Sequence, residues 1–321
     1  VAHPPPVTGG ALGLLAALGG LAPGGGPAVA LPRQRPAASG GRGVLVARVG
    51  DAIVKAHHPR TDAAALARRL AAAAHPALAD VLLPPLRRSP APLPGGRVAT
   101  VWPRGAPLDA ASDPGLVPWE AAGELLAALH AADPAPLGPL PAMGGPARAA
   151  RALHRLRRAG TPRPDARRAV ERVWESLPPW CRGEAPPAAG APVAVCHGDF
   201  HLGQLVRHPP PGGPWRLIDV DDLGTGDPAW DLARPAAWYA AGLLPAPAWE
   251  RLLTAYQRAA ARAGSRGLGP DPWTRLDAPA RAVTAQLAAD ALAGSGEVPE
   301  ERRAFVDACF RIVRSHPSVS P

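Results

Sequence analysis

The chain has 321 residues, enough for two lobes, and Ala, Pro, Gly and Arg dominate it while aromatics stand at 4%. Its net charge of +9 and isoelectric point near 10.9 raise nucleic acid as a partner. The arginines, however, are scattered over amphipathic helices with no aromatic stacking platform and no zinc or helix-turn-helix spacing, so no nucleic-acid partner is expected.

Three widely separated cysteines (Cys181, Cys196, Cys309) form no C-x-x-C pair and read as reduced thiols of a cytoplasmic protein. The apolar run Ala11–Leu21 is too short to span a bilayer and lacks the pattern of a signal peptide, so no membrane partner is expected.

In chain order, residues 1–26 read as a short apolar helix and a glycine-rich lead-in, and Pro27–Arg35 as a first strand. Ser39–Gly43 is a glycine-rich turn. Val44–Val49 and Ala52–His57 are strands joined by a tight Gly50-Asp51 turn. Lys55, on the second of these, is the only lysine among 35 basic residues, which suggests a position where the broad guanidinium fork does not fit. Thr61–Ala74 is predicted helical, with Asp62 as the acid at its start.

Leu82–Leu86 and Arg97–Trp102 are predicted strands, and Pro103–Gly105 breaks the pattern. Helices are expected over Trp119–Ala131, Pro146–Ala159 and Pro164–Leu177, where Val170, Val173, Trp174 and Leu177 share one apolar face. Nine arginines and two acids lie between Arg148 and Arg172, a pattern that reads first as a solvated helix face. After the proline-rich connector Pro178–Pro192, helices are expected over Ala229–Ala241, Pro247–Gly264, Pro279–Leu292 and Pro299–Ser315. Strands first and helices after make an α+β protein.

The stretch from Val195 to Ala233 organises the chain. Two apolar runs, Ala194–Cys196 and Trp215–Ile218, each end in a polar cluster, and PPPGGP (Pro209–Pro214) can only turn the chain between them. Two strands joined by a turn are therefore expected to set the clusters side by side. Residues 197–231 hold six acids (Asp199, Asp219, Asp221, Asp222, Asp227, Asp231) against two arginines in an otherwise basic chain. Such a patch of oxygen ligands suggests Mg2+.

HGDFHLGQ (197–204), LIDVDD (217–222) and GDPAWDLA (226–233) together resemble the aminoglycoside phosphotransferase family, whose signature is H-G-D-x-x-x-x-N, a strand ending in I-D, and G-D-P-x-x-D-L-A. Gln204 stands where that family has Asn, and no Asn occurs anywhere in this chain. The resemblance implies a two-lobed protein-kinase-like fold: a small antiparallel-sheet lobe (1–104) for nucleotide binding and a larger, mostly helical lobe (105–321) for catalysis and the acceptor.

The implied activity is transfer of the γ-phosphate of ATP or GTP, with Mg2+, to a hydroxyl of a small molecule. Asp199 falls at the catalytic base, Asp219 at the metal-binding acid and Gln204 at the second metal ligand. Lys55 falls at the lysine that holds the α- and β-phosphates, Gly41 in a loop over the phosphates, and the backbone of Val101, Trp102 and Pro103 at the purine edge. His197 is implied to brace the catalytic loop. His201 reads either as a contact to the transferring phosphate or as a solvent-facing loop residue, and Asp221 as an aid to the metal or a loop cap. Asp231 reads as a buried acid accepting N–H bonds from the loop around Asp199.

In kinases the first helix carries a Glu that pairs with the strand lysine. No Glu occurs here before Glu120, so the partner of Lys55 stays open, with Asp80 one candidate. That gap and Gln204 motivate the alternative of a nucleotide-binding module without turnover.

Overall fold

The alternating strands around Gly50, which takes a left-handed φ of 57°, fold as an antiparallel hairpin. The protein is described from a computed structural model over residues 9–31, 44–108, 114–160, 163–187, 190–294 and 298–315. The expected glycine loop Ser39–Gly43, with Gly41, lies outside the described residues. In chain order the helix α1 (Gly9–Gly19) precedes β1 (Val29–Ala30), β2 (Leu45–Val49), β3 (Ala52–Ala56), α2 (Ala63–Ala73), β4 (Ala91–Leu93), β5 (Arg97–Pro103) and β6 (Ala106–Pro107). Then follow α3 (Trp119–Ala131), α4 (Gly145–Arg158), α5 (Pro164–Glu175), β7 (Ala194–Cys196), β8 (Leu205–Arg207), β9 (Trp215–Leu217), β10 (Gly224–Gly226), α6 (Ala229–Ala240), α7 (Ala246–Arg262), α8 (Trp273–Leu292) and α9 (Glu300–Ser315).

Two compact units result. The first comprises Val1–Leu108, Ala135–Pro141 and Leu205–Asp221, and the second Asp109–Pro134, Ala142–Gln204 and Asp222–Pro321. The division is therefore not the single cut after residue 104 expected from the sequence: the segment carrying Asp219 and Asp221 belongs with the sheet.

The first unit holds an antiparallel five-stranded sheet in the order β1-β2-β3-β5-β4. Ala47, Val49, Val54, Ala56, Ala99 and Val101 from its strands form one apolar cluster with Leu18 of α1. The predicted strand Leu82–Leu86 does not form. Pro84 and Pro85 have no N–H to give a ladder, so Leu82 makes one lone bridge to Leu217, and Ala91–Leu93 becomes the edge partner of β5.

A second sheet, β6-β8-β9, is also antiparallel. This corrects the expected pairing of Ala194–Cys196 with Trp215–Ile218. The proline-rich turn joins β8 to β9 instead, and β7 pairs with β10 in the other unit. A run as short as Leu205–Arg207 leaves little periodic signal by which to be found.

In the second unit the alanine-rich α8 contacts α4, α5, α6 and α9, and 13 of its residues are buried, as expected of a helix that is small and apolar on nearly every side. It starts six residues before the predicted Pro279, at Trp273, whose N–H donates to Asp271 Oδ1 at 3.1 Å. Pro279 therefore lies inside the helix, a position that costs about 3 kcal/mol in isolation and is tolerated here within a buried core. Among the described residues no helix is long and apolar enough to cross a membrane.

Candidate active site

In the first unit, strand alternation points Lys55 of β3 out of the apolar cluster, and its side chain stays only 16% exposed. Its Nζ lies 2.6 Å from Asp219 Oδ1 and 2.9 Å from Asp221 Oδ2. These two carboxylates answer the question of its partner within this unit. Asp80 pairs with Arg216 at 2.9 Å, and Asp62 caps α2 by accepting from the N–H groups of Ala64 and Ala65, each at 2.9 Å.

Asp219 follows β9 with φ at 66°, the one left-handed non-glycine backbone among the described residues. Asp is among the few side chains that tolerate this region, and such outliers persist where the surroundings over-determine them, most often at functional sites. Buried His57 supports the neighbour. Its Nδ1 lies 3.4 Å from Asp221 Oδ2, and its Nε2 is 3.0 Å from Thr100 Oγ1, which also accepts from Trp102 Nε1 at 2.9 Å. Burial works against the charged forms of Lys55 and Asp221. Asp219 and then Asp221 outweigh it at Lys55 and hold the ammonium pKa well above the usual range, while Lys55 and His57 outweigh it at Asp221 and hold that carboxyl pKa well below the usual range.

Of the segment expected at a purine edge, Val101 is fully buried and its carbonyl accepts from Leu86 N–H at 2.8 Å. Trp102 and Pro103 pair with Ile53 and Ala52 of β3.

In the second unit, β7 leads into the loop His197–Gln204. Gly198 has φ at 79°, and a Cβ there would collide with the Asp222 carbonyl, so glycine is required for the chain to turn this closely. Asp231, in the first turn of α6 and fully buried, accepts from His197 N–H at 2.6 Å and from Gly198 N–H at 2.7 Å, and lies 3.0 Å from His130 Nε2. His130 Nδ1 in turn meets Tyr256 Oη at 3.0 Å.

Burial opposes ionisation of Asp231. His130, His197 and the loop N–H groups overcome it and lower its pKa. His130, Cys196 and Asp231 bring their ligand atoms within 4.8 Å of one another. The oxygens of Asp231 are already engaged by these donors, and burial, with Asp231 and Asp227, pushes the Cys196 thiol well up. This cluster holds the loop through the N–H groups of His197 and Gly198.

Asp199 is held from both sides. Arg148 Nη1 of α4 lies 2.9 Å from its Oδ2, and Arg234 Nη2 of α6 lies 2.6 Å from its Oδ1. Arg148 also pairs with Asp222 and donates to the Gly198 carbonyl at 2.7 Å. Burial disfavours the Asp199 carboxylate, but Arg234 and Arg148, then His201 and His197, keep it ionised with a lowered pKa.

His197 is fully buried, with Nδ1 accepting from the Asp199 N–H at 3.3 Å, while His201 Nδ1 accepts from the Gly203 N–H at 3.1 Å. Gln204 is buried, and its N–H donates to the His201 carbonyl at 2.8 Å. His130, Arg148 and Arg234 are not picked out by sequence reasoning. The two arginines are lost among the many others, and His130 reads only as the end of a helix.

The sequence profile of the phosphotransferase enzyme family (APH) matches residues 34–278. No curated protein matches. Among solved structures, a choline/ethanolamine kinase family protein from Mesorhizobium loti is 21% identical, over 95% of this chain and 93% of its own, with a TM-score of 0.56. A thermostable mutant of aminoglycoside phosphotransferase APH(4)-Ia, in its apo form, is 17% identical over 92% and 97%, with a TM-score of 0.60. The same enzyme in a ternary complex with AMP-PNP and hygromycin B is 16% identical over 91% and 95%, with a TM-score of 0.58. At these identities the solved structures establish the protein-kinase-like fold, and the profile match over most of the sequence establishes that the chain belongs to the phosphotransferase enzyme family.

Proposed function

We propose that this protein transfers the γ-phosphoryl group of ATP or GTP to a hydroxyl of a small molecule. The observation that carries the reading is the chain's only lysine, presented by the sheet and paired at 2.6 Å with an aspartate held in a left-handed backbone. An ammonium beside a carboxylate is what a metal-bound polyphosphate needs: one group for phosphate oxygens and one for the cation. The AMP-PNP bound by the APH(4)-Ia neighbour favours an adenine nucleotide as donor.

In this reading Lys55 binds the α- and β-phosphates, the backbone of Val101, Trp102 and Pro103 meets the purine, and Gly41 belongs to the loop over the phosphates. In the first unit Asp219 and Asp221 offer carboxylate oxygens, the donor type that suits Mg2+ and few softer ions, and in the second unit Gln204 offers an amide oxygen. Mg2+, when bound, neutralises charge on the β- and γ-phosphate oxygens.

Asp199, ionised, accepts the acceptor's hydroxyl proton. The acceptor oxygen bonds to the γ-phosphorus, the bond from that phosphorus to the β–γ bridging oxygen breaks, and the nucleoside diphosphate leaves with the electron pair. His197 and Asp231 keep Asp199 in place, and His201 lies on the same loop. Three buried, unpaired cysteines suit a reducing cytoplasm.

The test is a thermal-shift assay with Mg·ATP and Mg·GTP, followed by a panel of hydroxyl compounds incubated with the bound nucleotide and read by mass. A rise in melting temperature and a gain of one phosphate on at least one acceptor are expected. A second reading, nucleotide binding without turnover, is favoured by Asp199 having both oxygens engaged by arginine. Binding with no product on any acceptor would select it.

A further inference from the structure

The surroundings of Asp199 bear on the kind of acceptor, and this inference rests on the phosphotransfer reading above. Arg148, Arg151 and Arg155 fall at i, i+3 and i+7 of α4, so one face of that helix carries three guanidinium groups. Arg148 is committed to Asp199 and Asp222. Arg155 Nη2 lies 2.6 Å from Oδ1 of Asp290, a carboxylate only 4% exposed in α8. Arg234 bonds Asp199 from α6, and its charge, with that of Arg302 on α9, also acts on Asp290.

Five arginines thus face three carboxylates. Each carboxylate already has a guanidinium, whereas Arg151 is exposed and makes no ion pair or side-chain hydrogen bond among the described residues. Partial burial lowers its pKa, Arg148 and Arg155 push the same way, and Asp222 alone opposes them. It is a cation crowded by cations, and an anion would relieve it.

A polycation or quaternary ammonium brought to Asp199 would meet Arg148 and Arg234 at van der Waals range. We propose that the acceptor is a small hydroxylated anion, an alcohol bearing a carboxylate or phosphate group. Its hydroxyl is set against Asp199 and its anionic group is held by Arg151. Arg151 lies three residues, about 4.5 Å along the axis, from Arg148, a spacing that suits a short chain of two to four carbons. Transfer proceeds with the atom and proton balance given above. The anionic group takes no covalent part and fixes orientation, which is where a clamp contributes most to rate.

The test uses the full chain with a saturating non-hydrolysable ATP analogue, titrated calorimetrically with glycerol, glycerate, glycerol 3-phosphate and choline. At least one of the two anions is expected to bind tenfold or more tighter than glycerol and choline, and the better of the two tells carboxylate from phosphate. Arg151→Gln, at an exposed position, should remove most of that preference, and Arg151→Lys should keep much of it, with the melting temperature of each variant as the check on folding.

Equal or tighter binding of glycerol or choline overturns the proposal, and so does an anion preference that survives Arg151→Gln. Anion preference without phosphate transfer from Mg·ATP would leave this site standing and remove the kinase reading. Transfer to neutral or cationic alcohols alone would do the reverse.

Discussion

The two carboxylate clusters, one in each unit, are built with opposite balances. In the first, Asp219 and Asp221 share the single ammonium of Lys55, with His57 behind them. In the second, Asp199 and Asp222 share Arg148, Arg234 adds a second cation to Asp199, and α4 continues with more. One cluster is left with excess negative charge after its internal pairing and the other with excess positive charge. The sign remaining after pairing, rather than the number of acids, separates the two: it is negative in the first, which suits a cation, and positive in the second, which suits an anion.

The largest effects are expected at the leading acid of each cluster. Asp199→Asn should lower turnover by about 10²–10⁴-fold while leaving the nucleotide thermal shift intact. Asp219→Asn should lower turnover by about 10²–10³-fold and also weaken the shift with Mg·ATP, since Asn tolerates the left-handed backbone but not the metal's charge. Wild-type rates in either variant would end the assignment of roles.

Asp231→Ala leaves two loop N–H groups and His130 without their acceptor and should cost about 3–5 kcal/mol in urea unfolding, an expense the Lys55 cluster does not share because its acids are more than a third exposed. Lys55→Arg should reduce nucleotide affinity about tenfold if a compact ammonium is needed between the two carboxylates, and a smaller change would remove the reason for a lone lysine.

Acid titration sharpens the contrast further. Asp199, Asp221 and Asp231 all have pKa values below their unfolded value of about 3.9, so their stabilisation is complete above it and is lost as pH falls through the lower folded values. Burial raises Asp290 instead, so that carboxyl favours the native state more as pH falls and offsets a small part of the loss. Urea midpoints should hold steady between about pH 5 and pH 8 and drop below about pH 4, and Asp221→Asn should shallow that acid limb. The smallest effect is expected at Asp80. Its side chain is fully exposed against Arg216, so Asp80→Ala should leave the nucleotide thermal shift unchanged.

Much of this is legible in the sequence itself. HGD, the I-D strand end and GDPAWDLA marked the loop, the strand tip and the helix start, because each combines a required backbone shape with a required acid. The helices were legible from their apolar spacing. Prolines misled twice, for opposite reasons. Pro84 and Pro85 stop a strand that composition favoured, and Pro279 fails to stop a helix whose packing outweighs its missing N–H. Pairing partners were the least visible. Arg148 and Arg155 sit in a run of nine arginines that reads as a wet surface, and only folding separates those that reach a buried acid from those that reach water. The role of Asp221 was hidden in the same way: the helix position that carries Glu in kinases is vacant, and the substitute comes from 166 residues downstream of Lys55.

The solitary lysine has a practical consequence. Because no other side chain in the sequence ends in a primary amine, an amine-acylating nucleotide analogue has a single side-chain target, Lys55. Tagging that disappears in Lys55→Arg would then report occupancy at that one amine, since the α-amine is the remaining primary amine in both proteins.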